Sequence, residues 1–403
     1  MCTRILFLAL LLPIYFFRLA HIVQYQIPLD RPVKIQGRIS EQPYLKGSYQ
    51  IIRVGPILAI TDRFPGYSYG DKVQVVGKFE REVINPFQPQ YLTSFPTIQK
   101  IEANQNLTAE RVISRFFLKA RGLIESKVTS LLPEPEGSLL LGVVFGVKTQ
   151  MPESFLQNLR KTGTIHLVVA SGQNVAILAG FLIETGVWLM KRKRAIVLTL
   201  IAIFSYVLMT GGQAPVVRAA MMISLAYLAQ LFGREGEGMR LLMIAGALML
   251  LISPLILFDI SFQLSFGATA GIILIYPRMQ PKFSRLPVLG AGLATTLSAQ
   301  LATLPILLTN FGQLSWLAPA VNALVLPTIP LIMSLGGVLA MASLVVNPLA
   351  QVLTWLIWPV LKYFVILVNY FGAVPWAAWE IGQLGLVWAV GYYLVLGVML
   401  SKK

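Results

Sequence analysis

Charge is what this 403-residue chain has least of: 12% of its residues are Asp, Glu, Lys or Arg, about half of the roughly 25% usual in soluble domains. With 56% hydrophobic residues and a mean hydropathy of +0.70, that scarcity excludes an ordinary soluble globular protein. It excludes a disordered one equally, because disorder needs low hydrophobicity and high charge. The single cysteine, Cys2, excludes an internal disulfide framework and a thiolate metal cluster. Two histidines, His21 and His166, leave little for a histidine metal site, and neither metal nor cofactor is expected. Nucleotide motifs are lacking too. Gly142 to Thr149 nearly spells a phosphate-binding loop, but Val147 stands where glycine is needed. What remains is a polytopic α-helical membrane protein.

The charge that is present is lopsided: 33 basic against 17 acidic residues, a formal +16. Residues 1–163 hold 20 basic and 12 acidic residues, and residues 164–403 hold 13 and 5. The N-terminus, 1–23, reads as a retained membrane anchor, since no small-x-small cleavage site precedes His21. Residues 24–105 then alternate. Strand-like runs at Val33–Ile39, Tyr49–Val54, Ile57–Thr61, Lys72–Glu82 and Thr97–Ile101, punctuated by Gly and Pro, predict a small β-barrel or sandwich of about five strands. Residues 106–163 hold an amphipathic helix over 108–131 and a short apolar segment, 137–147, too short to span and suited to re-entry. Arg111, Arg115 and Lys119 line one face of that helix, which reads either as an interfacial helix or as a basic helix at a pore mouth.

From 164 to 403 the chain is mostly hydrocarbon-seeking. A span needs roughly 20 apolar residues. Candidates are 164–190, 195–211, 213–232, 241–258, 259–276, 288–310, 317–346, 350–372 and 377–400, ten spans with the anchor. Basic loops around 191–194, 234–240, 278–285 and 402–403 all fall on one side. The loops around 211, 259, 310–316 and 373–376 hold no Lys or Arg. The positive-inside rule then puts both termini in the cytoplasm and the β domain outside.

Several spans are interrupted, at Ala170 to Asn174 and again between Pro319 and Pro330. Broken helices at membrane depth are tolerated where they are buried in protein or line a watery cavity. The intramembrane polar residues that could line such a passage are His166, Ser171, Gly172, Gln173, Asn174, Arg218, Asp259, Gln263, Ser265, Gln300 and Asn322. An intramembrane serine hydrolase built on His166 and Ser171 is disfavoured. The serine lacks the preceding glycine of a nucleophile elbow, and the histidine sits on the same segment. In the β domain, Tyr44, Tyr49, Phe64, Tyr67 and Tyr69 stand among Lys46, Arg53, Arg63 and Lys72. Rings that stack bases beside cations that follow phosphates suit single-stranded nucleic acid. β domains are also rich in such rings for packing alone.

Four ordered blocks carry a family resemblance. Phe155 to Gly172 (FLQNLRKTGTIHLVVASG) resembles the central motif of the ComEC family of competence channel proteins. Thr210 to Met221 is similar to its glycine-to-Arg-Ala-Met segment, Ser253-Pro254 with Phe262 to Phe266 to its Phe-Gln-Leu-Ser block, and Leu304-Pro305 with Asn322 to Pro327 to its late Asn-Pro block. Tyr69 to Gly77 and Asn85 to Leu92 resemble its external OB-fold domain. The chain departs from the family at Asn174, where a histidine is usual, and at Val147, where an aspartate is usual. The resemblance implies an inner-membrane channel for single-stranded transforming DNA, with 164–403 as the channel domain. It implies partners: the lipid bilayer, a separate metallo-β-lactamase-like nuclease, a periplasmic or surface DNA receptor and a cytoplasmic helicase. The chain shows no His-x-His-x-Asp cluster, so no enzymatic activity is expected of it. Two other readings stay open on the residues alone: a carrier for a smaller anion or peptide, and a membrane-anchored nucleic-acid-binding protein without transport.

Overall fold

A computed structural model of the chain describes residues 13–20, 28–29, 31–40, 43–46, 49–67, 70–85, 88–101, 109–147, 151–168, 171–233, 237–286 and 289–401. It forms two compact units, Met1–Arg121 with Ala247–Asp259, and Gly122–Gly246 with Ile260–Lys403. Of the expected anchor, residues 13–20 are helical and the remainder lies outside the described residues.

The first unit is built on eight strands: β1 (Val33–Arg38), β2 (Tyr44–Lys46), β3 (Tyr49–Val54), β4 (Ile57–Asp62), β5 (Lys72–Gly77), β6 (Glu80–Asn85), β7 (Gln88–Ser94) and β8 (Thr97–Lys100). They pair in two sheets, ordered β1-β5-β8 and β2-β3-β4-β7-β6. β4 and β7 run parallel, with Ile57 opposite Tyr91, while the other pairings within these sheets are antiparallel. The two sheets are joined twice. Ile39, just past β1, bridges Val54 at the end of β3, and β5 runs into β6 through Lys78 and Phe79. One link between the sheets is thus a β-bridge and the other a chain connection. Alternation explains the core: Ile52, Val54, Ile57, Ala59, Val73 and Val75 are fully or nearly buried and pack with Ile39, Phe79 and Tyr91. About five strand runs were expected, and eight strands form among the described residues. The Lys72–Glu82 run divides where Phe79 turns into the core. β2 has only three residues, and β7 carries Pro89, a weak strand signal.

Helix α1 (Ala109–Leu131) matches the expected amphipathic helix, with Ile124 and Val128 buried and Phe116 and Leu123 exposed. The second unit then adds α2 (Glu136–Phe145), α3 (Glu153–Lys161), the single turn α4 (Ile165–Val168), α5 (Gly172–Leu189), α6 (Arg192–Met209) and α7 (Ala214–Leu231). These are followed by α8 (Gly238–Ile252), α9 (Ile260–Met279), α10 (Leu289–Asn310), β9 (Gln313–Ser315), α11 (Ala318–Val325), α12 (Thr328–Val345), α13 (Asn347–Gly372), β10 (Ala378–Glu380) and α14 (Leu386–Ser401). α2, the expected re-entrant segment, is a ten-residue helix in which every residue is buried. At 1.5 Å per residue it is far too short to span. It packs against α12, α13 and α4, and its buried Glu136 pairs with Lys362 of α13 at 3.1 Å.

Among the described residues, six helices are long and apolar enough to cross a membrane: α5, α7, α9 with its 3-10 extension to Phe283, α10, α12 and α13. The other four of the ten expected spans are the anchor, of which only 13–20 is described, and the runs of α6, α8 and α14, which fall short for local causes. Arg192, Lys193 and Arg194 open α6, so its span is diluted by charge. The run 241–258 closes its helix at Ile252 and continues as a 3-10 turn, Pro254–Phe258. The run 377–400 spends its first residues in β10, while 317–346 divides into α11 and α12 around Leu326 and Pro327 and keeps its span in α12.

Close helix packing rests on small residues. A Cβ on Gly271 of α9 would strike Ala302 and lie 2.6 Å from the Ser298 carbonyl of α10, whereas Gly337 of α12 faces open space. Replacing Gly271 by leucine is therefore expected to lower stability by about 1–3 kcal/mol through overpacking, and Gly337→Leu to leave it unchanged. Thermal melts of both purified variants check the contrast.

Candidate functional site

The interruption before α5 organises the second unit. Ser171 sits in extended backbone and caps α5 from its side chain: the Asn174 N–H donates to Ser171 Oγ at 3.3 Å. Ser171 Oγ donates in turn to Asn174 Oδ1 at 3.0 Å. Asn174 is 1% exposed, and its Nδ2 donates to the Val143 carbonyl of α2 at 2.8 Å. Ser171 thus caps the start of one broken helix, and the Asn174 amide holds that hydroxyl and satisfies a carbonyl near the end of a short buried helix. Ser171 and Asn174 are ordinary turn-forming residues, which is why the break was legible.

Gly172 opens α5 without a side chain, and the reason lies opposite it. A Cβ there would sit 2.7 Å from Arg218 Nη2 and 3.2 Å from Ala219 Cβ. Arg218, four residues inside α7, is 6% exposed. Its Nη1 donates to the Ser265 carbonyl of α9 at 2.7 Å and to Thr269 Oγ1. Its guanidinium carbon lies 5.6 Å from the Phe266 ring centroid, a cation–π contact. Its Nε has no hydrogen-bond partner among the described residues. Among those residues it has no carboxylate within 4 Å either. A buried cation without an anion is expensive at membrane depth. Here it is held by carbonyl, hydroxyl and ring, and it faces the positive end of the α5 dipole. Two positive features converge where the helix is broken.

The other sequence candidates are placed as follows. His166, on α4, is exposed, and its Nδ1 donates to the Gly163 carbonyl at 2.8 Å. Gln173 is exposed at the first turn of α5. Gln263 and Ser265 are half-buried on α9. Gln300 on α10 donates through Nε2 to the Ser315 carbonyl at 3.3 Å, towards β9. Asn322 on α11 is 1% exposed, and its Oδ1 has no hydrogen-bond partner among the described residues. Asp259, half-buried, belongs to the first unit, at the end of the 3-10 turn. The structure therefore brings together Ser171, Gly172, Asn174, Arg218 and Ser265, and distributes the rest.

On the β unit, Tyr49 and Arg53 lie on the outward face of β3, where burial alternates. Arg63 stacks over the exposed Phe64 at 5.8 Å. Gln50, buried beneath, pins that turn by donating to the Asp62 and Pro65 carbonyls, each at 2.7 Å. Lys72 is half-buried, and Lys119 is exposed on α1. Tyr67 is a core residue. Burial raises its phenol pKa, and the neutral hydroxyl donates to the Ile98 carbonyl at 3.2 Å, so its ring faces no solvent. Tyr69 lies outside the described residues, as do the side chains of Tyr44, Lys46, Arg111 and Arg115. Phe95, which the sequence reading missed, is 55% exposed and meets Tyr49 edge to face at 5.3 Å. Its φ of 51°, unusual for a ring-bearing residue, turns it outward. Its only sequence signal is the Phe-Pro step that ends β7.

A bundle of apolar helices with interrupted segments and a buried arginine defines a helical membrane protein. A family model described as competence protein matches residues 143–403, more than half of the chain, and the chain belongs to that family. ComE operon protein 3 of Bacillus subtilis (strain 168) is 30% identical over 214 residues, 52% of this chain and 27% of the relative. The uncharacterized protein YcaI of Escherichia coli (strain K12) is 28% identical over 229 residues, 52% of this chain and 30% of the relative. The matches thus span under a third of these relatives' length. No solved structure matches the chain.

Asn174→Ala is expected to leave the Val143 carbonyl without its donor and to cost about 1–3 kcal/mol. Gln173→Ala, at an exposed position one residue away, should change stability little. Thermal unfolding of the detergent-solubilised variants measures both.

Proposed function

We propose that this chain conducts single-stranded DNA across a bacterial inner membrane during natural transformation. The observation that carries the reading is Arg218: a buried guanidinium with no carboxylate within 4 Å among the described residues, set against the Ser171-capped N-terminal end of an interrupted helix. A polyanion crossing hydrocarbon needs fixed positive charge and polar lining, spaced so that each phosphate binds and then leaves. Membership of the competence family supports DNA as the cargo. In this reading the chain supplies passage and no catalysis. A separate metallo-β-lactamase-like nuclease, a surface receptor and a cytoplasmic helicase act beside it.

The β unit takes the role of an external OB-fold. Its strand order supports this: the end of β1 bridges β3, β3 pairs with β4, β4 runs parallel to β7, β7 pairs with β6, and β6 follows along the chain from β5, which pairs with β1. An OB-fold collects single strands on aromatic and basic side chains, and Tyr49, Phe64, Phe95, Arg53 and Arg63 are placed for that. Ten spans, with α6, α8 and α14 among them, would put both termini in the cytoplasm by the positive-inside rule.

A buried charge is costly at membrane depth, and an apolar residue of similar length removes that cost. Arg218→Met is therefore expected to keep the protein folded, with an unchanged or raised melting temperature, while labelled-DNA uptake falls about tenfold or more. Arg218→Lys should retain part of the uptake. If Arg218 merely ties α7 to α9, uptake and stability fall together. Normal uptake by the methionine variant would remove it from the pathway, and selective loss of small-anion flux would favour an anion carrier.

A further inference from the structure

We propose that the cavity where α3 meets β9 and β10 is a phosphodiester-binding vestibule, which seats a nucleotide-sized stretch of a single strand before it enters the bundle. This rests on the transport reading above and adds a site to it. The cavity measures about 430 Å³ and is lined by Gln157, Arg160, Lys161, Gln313, Pro375 and Ala378. That volume is within the roughly 300–1,000 Å³ usual for small-ligand sites. Among the described residues the lining offers two cations and two amides, a donor set for a phosphate and the polar edge of a base, while Glu380 stands opposite Gln313 in the β9–β10 pair.

The walls are clamped, so the site is preformed. Ser315 Oγ of β9 donates to the Lys161 carbonyl at 2.7 Å. Gly163, with φ of +68°, brings the chain against Ala318, where a Cβ would approach to 2.6 Å. Asn158 Nδ2 of α3 donates to Asn369 Oδ1 of α13 at 3.0 Å, and Gly372 leaves room for that asparagine. Phe155 and Leu159 bury the other face of α3. Arg160 and Lys161 are held at the open end of a docked helix. Glu153 is 3.7 Å from Arg160, but both side chains are more than half exposed, so this pair holds the guanidinium weakly.

Position makes these cations informative. α10 runs from the basic turn of Arg278, Lys282 and Arg285 to Asn310, immediately before β9. α14 runs from beyond β10 back to Ser401, which two lysines follow in sequence. The cavity therefore lies at the end of the bundle opposite those basic segments. The positive-inside rule accounts for cations at the far end and for none here. The neighbouring segments, 311–316 and 373–380, contain no Lys or Arg. Trp316 and Trp379, each 54% exposed and 5.2 Å apart, lie beside Leu314 on the other face of the β9–β10 pair. Exposed tryptophans mark a membrane–water boundary. A pair of cations at that boundary, on the side where topology asks for none, is accounted for by an anionic ligand.

The test uses the full chain in phosphatidylcholine nanodiscs, with a fluorescent oligothymidylate followed by anisotropy across a salt series. The double variant Arg160→Gln/Lys161→Gln is expected to weaken binding about tenfold at low salt and to flatten the salt slope by about 1–1.5, the loss of two phosphate contacts at roughly 0.7 each. Arg160→Lys should keep most of the affinity. A control pair at the other end, Arg192→Gln/Lys193→Gln, should bind as wild type. Matching melting temperatures show that the variants are folded. Unchanged affinity and slope in the double variant, with wild type binding, overturn the vestibule and leave the transport reading standing. An equal loss in the control pair overturns it in favour of bulk charge. If the difference between wild type and the double variant disappears in phosphatidylglycerol nanodiscs, the cavity holds lipid headgroups and the proposal fails. If wild type does not bind at any salt, the transport reading fails with it.

Discussion

Hydrocarbon offers no hydrogen bonds, so any backbone freed by a broken helix must find its partner within the protein. The second unit is arranged around that constraint. Ser171 and Asn174 meet it together, because Ser171 Oγ accepts the Asn174 N–H and the Asn174 side chain donates to the Val143 carbonyl. α2 can then end inside the protein, in a left-handed Gly146, without an exposed terminus. α5 can begin beside α7, close enough that only glycine fits at position 172. Arg218 can sit at this junction because α9 holds it through Ser265 and Thr269. The break and its cap thus support one another, and α9 holds the cation beside them.

The same constraint explains the second interruption. α11 ends as Leu326 donates to the Asn322 carbonyl, and α12 restarts at Thr328, whose hydroxyl donates to the Val325 carbonyl at 2.7 Å. α12 is the most buried of the six long apolar helices, with half of its membrane window enclosed. It packs on α2 through Gly336, which faces Leu140 and Val144. The two non-spanning segments, α2 and α11, are therefore in contact with long helices that shield them. Polar groups unsuited to lipid are tolerated there because protein surrounds them.

Much of this was legible in the sequence where a residue type has one physical use. Ser171 to Asn174 reads as a cap within an apolar run, Pro327 as a break, and Val33–Arg38 as an alternating strand. The sequence was silent where tertiary packing decides. Nothing in the run Lys72–Glu82 marks the point at which Phe79 turns inward. Nothing in 377–400 marks that Ala378–Glu380 will pair with Gln313–Ser315, a contact across more than sixty residues. Hydropathy counted 317–346 as one span because apolar composition does not record the backbone. Tyr67 was read with the basic and aromatic cluster, but only the fold shows it buried. Arg160 and Lys161 were visible in the family motif, and it took the cavity to give them a common direction.

The central claim is that a nucleic-acid strand passes the interruption at the start of α5. The most direct measurement replaces exposed Gln173 with a photo-crosslinking amino acid, and in a second variant Trp355, which is 73% exposed on α13. Cells taking up labelled DNA are then irradiated. The account predicts DNA crosslinked at position 173 and none at 355. Equal labelling at both positions, or none at 173 while uptake proceeds, would contradict it.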